Sequence, residues 1–324
     1  MARELAVTAK RVAGRYSHDN ETALLQRGLA ANGWTVRLFD WREIAPFTGP
    51  LPDLVAASDV LLHRYLGSLR EQHIQPAQRY VELAREQFAG PIVNDPDLLP
   101  YGCRKHYLLD YQRRGFPVVP SLYRPSRAGI GALKRSAAEA GWRAAVVKPI
   151  DGELCQDVHL LADVSPRHYL ALAGRTSGFV VQPFLEGIRN GQRSVLLVVI
   201  GGEPVPVYGM VKVPSGWHAK ASLSTVREVA PSKEECELAV RLLYAWPGGQ
   251  IVNGFARVDF VVDRARLHVL EVETVNPEGG LPCAGRITQR RWVAVVGEML
   301  EEAARTATRR PQRPMTAGRR DHGW

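Results

Sequence analysis

The residues best suited to chemistry lie near the C-terminal end of the chain. Arg257-Val-Asp259 leads into Phe260-Val-Val, and His268-Val-Leu-Glu271-Val-Glu273-Thr-Val-Asn276-Pro277 follows. Glu271 and Glu273 are two apart, so on a strand both point to one face. Asp259 belongs to the preceding strand, and a short reversal over 263–267 makes the pair a hairpin. Three carboxylates are then expected to converge. Like charges that close are costly unless a cation joins them. A hard, oxygen-liking ion such as Mg²⁺ fits, and Mg²⁺ usually brings phosphate with it. Arg257 shares the face of Asp259 and can reach the same phosphate or an oxyanion. The alternative is an exposed hairpin with solvated acids. The acids interrupt very apolar strands, which favours a site.

Two further segments carry possible ligand contacts. In Val146-Val-Lys148-Pro149 a lysine ends an apolar strand just before a turn, where its ammonium can meet a phosphate. Taken alone, it reads as well as a solvated strand end. In Phe179-Val-Val-Gln182-Pro183-Phe184-Leu185-Glu186 a strand runs into a bent linker. Such a segment can offer backbone groups to a purine edge, with Phe184 or Leu185 as an apolar wall. By itself it also reads as a core strand leading into a loop.

The elements that must position these residues alternate in kind. Strands are expected over 4–8, 35–39, 59–62 and 91–93, with helices over 18–31 and 71–88. That alternation implies a parallel sheet with crossover helices over residues 1–100. A central unit over 101–178 has helices over 105–114 and 127–141, an extended exit at 120–123, and strands over 144–149 and 159–161. A third unit over 179–304 has strands over 179–182, 194–200, 204–213, 256–262 and 268–273, and helices over 233–244 and 288–304. Residues 305–324 are basic, Pro-containing and poor in apolar residues, which reads as a disordered tail.

Composition narrows the classes. A chain of 324 residues is too long for one ordinary core. Its 45% apolar and 23% charged residues exclude wholesale disorder. The net charge of +9 is uneven, because 305–324 hold six Arg and one Asp. The rest is close to balance, so basicity is a poor argument for nucleic acid. The longest strongly apolar run, 195–200, is far short of a membrane span. No leader segment is apparent, and the four cysteines are scattered without a Cys-x-x-Cys pair. Reduced thiols and a cytoplasmic location are therefore expected. Neither GxxxxGK[ST] nor GxGxxG occurs, which removes the main support for P-loop and Rossmann readings.

The order of these features resembles the ATP-grasp superfamily: Lys105, then Val-Val-Lys148-Pro, the hinge strand, Arg-x-Asp and Glu-x-Glu. Further segments resemble the branch containing the D-cycloserine-forming ligase. These are Thr35-Val-Arg-Leu-Phe-Asp-Trp41, Asn94-Asp-Pro, Arg104-Lys105-His-Tyr-Leu, Gly115-Phe-Pro-Val-Val-Pro, Val181-Gln-Pro-Phe-Leu, Gly191-Gln-Arg-Ser194 and Lys212. Glutathione synthetase, D-alanine–D-alanine ligase and RimK-type ligases are more distant relatives. The resemblance covers about residues 1–300. It implies an α/β and α+β fold, with an N-terminal parallel-sheet domain, a small central lid and a C-terminal antiparallel-sheet subdomain gripping ATP.

By that resemblance Lys105 and Lys148 hold the α- and β-phosphates. Gln182, Pro183 and Leu185 meet adenine, and Gln192 stands where a ribose-binding Glu is usual. Lys212 approaches the γ-phosphate, and Arg257 stabilises the charged intermediate. Asp259, Glu271 and Glu273 bind Mg²⁺, two ions being expected and Mn²⁺ being an alternative. Arg64, at a strand end, is a candidate for the donor carboxylate. Arg286 is a second candidate for that carboxylate and Asn276 a candidate substrate contact, while Gly279 and Gly280 are candidates for the acceptor side, where backbone N–H groups can form a nest. Two departures bear on ATP use: Gln192 itself, and one glycine in the loop 151–157 where several are usual.

The implied activity is ATP-dependent ligation of a carboxylate to an amine through an acyl phosphate, on a small amino-acid-like substrate. Amide formation, intramolecular cyclisation and natural-product biosynthesis all fall within it. A small-molecule kinase and a catalytically inactive ATP-binding homologue are the alternatives. The expected partners are small molecules rather than nucleic acid or membrane, and a homodimer is left open.

Overall fold

The computed structural model describes residues 3–9, 11–12, 15–16, 20–44, 49–64, 66, 71–95, 98–151, 155–217, 224–275 and 277–307. Its first elements are β1 (Arg3–Thr8), α1 (Asn20–Ala31), β2 (Trp34–Phe39), β3 (Val60–Leu62), α2 (Glu71–Gln87) and β4 (Ile92–Val93). The strands form one parallel sheet in the order β2-β1-β3-β4. Leu25 and Leu29 of α1 are buried, and the chain leaves that helix through Gly33 at φ 86°. Glycine takes that left-handed conformation without Cβ strain, which ends the helix and turns the chain into β2.

The middle of the chain contributes α3 (Tyr107–Arg113), β5 (Leu122–Pro125), α4 (Ile130–Glu139), β6 (Ala145–Pro149), β7 (His159–Leu160), α5 (Pro166–Ala173) and β8 (Gly178–Pro183). These strands form an antiparallel sheet in the order β5-β8-β6-β7. The hinge strand β8, expected to open the third unit, pairs here instead. Its Phe179 and Val181 pack with Leu133 and Tyr169 in one buried cluster, which fixes that choice. Helix α5 was not read from the sequence. Its start is marked by Ser165, whose Oγ accepts the His168 N–H at 3.1 Å, with Pro166 in the first turn.

The last part builds β9 (Gln192–Ile200), β10 (Glu203–Pro214), β11 (Ser224–Val229), α6 (Lys233–Tyr244), β12 (Gly254–Asp263), β13 (Arg266–Glu273) and α7 (Arg286–Ala307). The antiparallel sheet runs β11-β10-β9-β12-β13. One face packs Leu196, Val198 and Phe255 against Trp292 and Val296 of α7 and against Leu25 and Leu29 of α1. The N-terminal and C-terminal parts therefore share a core. The other face packs Val195, Val258 and Phe260 with Tyr107 and Tyr111 of α3 and with Leu238 and Leu242 of α6. Helix α6 opens with a capping box, Ser232 and Glu235 each accepting the other's backbone N–H.

Two differences from the sequence reading have simple causes. Strand β11 lies at the sheet edge and carries polar, partly exposed residues, so it lacks the apolar alternation that marks a strand. Helix α7 continues through Thr306 and Ala307, where the tail was expected to begin; residues 308–324 lie outside the described residues.

Candidate active site

The acidic hairpin is shaped by its turn and by one bulge. Arg264 and Ala265, at φ 49° and 60°, form the two-residue turn that joins β12 to β13. Two left-handed residues match the twist of the flanking strands. From the turn the ladder runs Val262 to Leu267, Val261 to His268 and Phe260 to Val269. Continued unbroken, it would pair Asp259 with Leu270 and leave Glu271 on the opposite face. A bulge between Asp259 and Phe260 takes in Leu270. Asp259 therefore lies opposite Glu271, and Arg257 opposite Glu273. Bulges recur where a side chain must be re-aimed. On the next strands Ser194 is opposite Asp259, and Gln192 is opposite Lys212.

This arrangement corrects the expectation of three converging carboxylates. Asp259 is buried and accepts from Ser194 Oγ at 2.7 Å, Arg257 Nε at 2.9 Å and Arg257 Nη2 at 3.0 Å. Glu271 meets Lys105 Nζ at 3.0 Å. Glu273 accepts the Val275 N–H at 3.4 Å. Among the described residues no group of three His, Cys, Asp or Glu side chains is placed to hold a metal ion. Basic side chains enter the cluster and separate the acids. The oxygen donors still fit Mg²⁺ of one kind: an ion that arrives with phosphates and needs only one or two protein carboxylates.

Electrostatics divide the basic residues. Burial opposes the charge on Lys105, but Glu271, by charge and hydrogen bond, and then Glu273 outweigh it, and the pKa rises. Burial, helped by the charge of Lys105, brings Lys148 down to about 8 despite Glu271. The charge of Arg257, then burial, lowers Lys212. Burial alone would raise Glu271, yet Lys105, Lys148 and Arg257 hold its carboxyl below the usual range. The site thus contains two lysines whose charge is poorly compensated until an anion arrives.

Part of this cluster borders a cleft between the middle sheet and the C-terminal sheet. Lys105, Lys148, Gln182, Pro183, Leu185, Gln192, Asp259 and Glu271 all line it. The Lys105 N–H donates to the Ile150 carbonyl at 2.8 Å, which ties the start of α3 to the end of β6. Gln182 donates from Nε2 to Ser121 Oγ at 2.8 Å, so its amide braces the hinge from within. The Phe184 N–H donates to the Ala144 carbonyl at 2.9 Å and closes the bend. Charged groups gather along one wall; Val146, Ile188 and Leu270 supply apolar walls elsewhere.

The remaining candidates lie apart. Lys212, Arg257 and Glu273 stand on the same sheet face but do not line the cleft. Arg64 is buried and bound through Nη2 to the carboxylate of Glu21, not left open for a ligand. The Gly279 N–H, expected to bind a substrate carboxylate, also donates to Glu21, at 2.9 Å. Gly280 is left-handed at φ 67° and carries the turn into 281–283. Arg286 is exposed at the start of α7. Asn276 and residues 152–154 of the loop after Lys148 lie outside the described residues.

Several residues escaped the sequence reading. Trp217 lines the cleft and meets the hinge Phe184 edge-on, with ring centroids 6.0 Å apart. Its proximity in sequence to Lys212 was the available signal. Cys155 also lines the cleft, its thiol pushed up by burial and by Glu271. Tyr208 is buried and its hydroxyl has no hydrogen-bond partner among the described residues, beside Gly279 and the charges of Glu21, Arg64 and Arg257. Neither Glu21 nor Tyr208 belongs to a local motif, so nothing in the sequence marked them.

Against solved structures, the chain is similar over 92% of its length, and over 99% of the other chain, to the D-cycloserine synthetase DcsG, with a TM-score of 0.72 and 20% identity. The chain has the ATP-grasp fold. The same fold recurs in the ATP-grasp ligase PsnB complexed with a phosphomimetic precursor variant, Mg and ADP: TM-score 0.58, 16% identity, 94% of this chain and 99% of that one. It recurs in D-alanine–D-alanine ligase from Bacillus anthracis complexed with ATP: TM-score 0.60, 13% identity, 95% of this chain and 98% of that one. No protein-family model and no curated protein sequence matches the chain. The cleft between the two antiparallel sheets of this ATP-grasp fold is where Lys105, Lys148, Asp259 and Glu271 meet.

Proposed function

We propose that the chain is an ATP-dependent ligase that joins a carboxylate to an amine, releasing ADP. One observation carries this reading. A cleft with apolar walls at the hinge ends on two lysines and two carboxylates placed in register by a bulge. Apolar walls suit a purine, and the charged end suits polyphosphate. The ATP-grasp fold and the nucleotide-bound neighbours support the same assignment.

In this reading Lys105 and Lys148 hold the α- and β-phosphates, and Pro183 and Leu185 flank adenine. Gln192 faces the ribose, and Lys212 approaches the γ-phosphate. Asp259 and Glu271 would hold Mg²⁺, with Glu273 on the same strand as Glu271 a further candidate ligand. When bound, Mg²⁺ neutralises phosphate charge. The protein's part is positioning and electrostatics: poorly compensated lysines meet the phosphates without reorganising. The substrate carboxylate attacks the γ-phosphorus and ADP leaves, giving an acyl phosphate. The amine then attacks the acyl carbon, the oxyanion developing near Arg257, and phosphate leaves. Water must be kept out, and the middle sheet, which supplies Lys148 and the hinge, is the mobile cover. Small amino-acid derivatives are the substrate class we favour.

ADP release from MgATP with a pooled library of amino acids and derivatives, read beside product masses, tests this. Product masses equal to the substrates minus water, lost in Glu271→Gln, support a ligase. Gain of a phosphoryl group would make it a kinase. Nucleotide binding without turnover across a wide library would favour an inactive homologue.

A further inference from the structure

Glu21 gathers donors from separate parts of the chain. Its Oε1 accepts the Gly279 N–H at 2.9 Å and the Leu281 N–H at 2.7 Å, and its Oε2 accepts from Arg64 Nη2. Glu21 lies in the first turn of α1, and Arg64 two residues past β3. Gly279 and Leu281 belong to the loop that follows the acidic hairpin. Glu21 and Arg64 are buried, so the pair works at low dielectric, where it is strong and costly to break.

That loop is the one Arg257 touches. Arg257 Nη1 donates to the Glu278 carbonyl at 2.7 Å, while its other nitrogens hold Asp259. The Glu278 carbonyl and the Gly279 N–H belong to one peptide group, so the guanidinium and the Glu21 carboxylate grip its two ends. The approach is tight. A Cβ on Gly279 would lie 2.2 Å from Leu196 Cδ2 and from the Tyr208 hydroxyl. Only glycine permits this packing, and the left-handed Gly280 turns Leu281 N–H back to the same carboxylate.

We infer that Glu21, held by Arg64, is a positioning residue: it fixes the loop 278–281 and through it the place of Arg257. The N-terminal parallel-sheet unit thereby sets the geometry of the acyl-transfer end of the cleft. The role in turnover rests on the ligase reading; the latch itself does not. Displacing a catalytic guanidinium by about 1 Å is enough to lose ~100-fold in rate.

The test uses the full-length chain as wild type, Glu21→Gln and Glu21→Ala. Amide hydrogen exchange is followed over residues 275–285, with MgADP affinity and ADP release from MgATP with the amino-acid library measured in parallel. We expect exchange of the loop amides to speed up in Glu21→Ala, and kcat for ADP release to fall ~10- to 100-fold with MgADP affinity unchanged. Formate, which fits the space left by the carboxylate, should slow the exchange again and restore part of kcat in Glu21→Ala. A purely structural role would show no such saturable rescue. Should Glu21→Ala fail to fold, Glu21→Gln keeps the shape, and a smaller rise in exchange with a fall in kcat is expected. Unchanged loop exchange in a folded variant would overturn the latch. Faster exchange with wild-type kcat would overturn the positioning role. Wild type that binds no nucleotide and releases no ADP would instead overturn the ligase reading, while the exchange data still decide the latch.

Discussion

The two ends of the site are both built on ion pairs, half-buried at one and buried at the other, and they differ in what they leave unsatisfied. At the cleft end, Lys105 pairs with Glu271, but Lys148, and Lys212 on the C-terminal sheet, are held at lowered pKa and form no ion pair among the described residues. At the loop end, the Glu21 carboxylate has donors on both oxygens and Arg64 is bound to it. An incompletely balanced cluster can take an anion; a balanced one can only hold position. The contrast assigns ligand binding to the first and geometry to the second.

The largest expected effect removes the acid that organises the cleft. Glu271→Gln should lower kcat for ADP release by ~100-fold or more, because Lys105 loses its partner and Mg²⁺ a ligand. A change below about threefold would show that the paired acids are structural. Next comes Lys148→Met, which should weaken MgADP by ~10- to 100-fold in a calorimetric titration, a direct measure of the uncompensated lysine. The loop end should respond in stability instead. Gly279→Ala forces a Cβ against Leu196 and Tyr208 and should cost ~1–3 kcal/mol in a denaturant titration. If MgADP affinity falls as far as stability does, the two ends are not separable.

A smaller effect depends on pH. Lys148 is charged below its pKa of about 8 and neutral above it. MgADP affinity should therefore decline as pH rises through about 8, and binding above that pH should take up a proton. The sign follows because phosphate favours the protonated lysine. Smallest of all, Trp217→Leu should weaken MgADP only ~2- to 10-fold, through a lost aromatic wall, with indole fluorescence of the wild type changing on nucleotide addition.

The same contrast explains what could be read from the sequence. Alternation of strand and helix over the first hundred residues follows from local periodicity. The cleft residues sit in short motifs, Arg257-Val-Asp259, Glu271-Val-Glu273 and Val-Val-Lys148-Pro, so type and spacing exposed them. The bulge that puts Asp259 and Glu271 on one face was not legible, since pairing register depends on the turn and on the partner strand. Nor was the separation of the acids by Arg257 and Lys105, which needs tertiary contact between α3 and β13. The loop end was missed for a plainer reason. Glu21 and Gly279 are 258 positions apart, and an acid in a first helical turn ordinarily just complements the helix dipole. Arg64 and Gly279 were recognised as fit to bind a carboxylate. The carboxylate they bind belongs to the chain itself.

The most direct single measurement is a calorimetric titration of MgADP into wild type and Lys148→Met at neutral pH. We expect one saturable site in wild type and a loss of ~10-fold or more in the variant. No binding in wild type, or equal binding in both, would contradict the assignment of the cleft to a nucleotide.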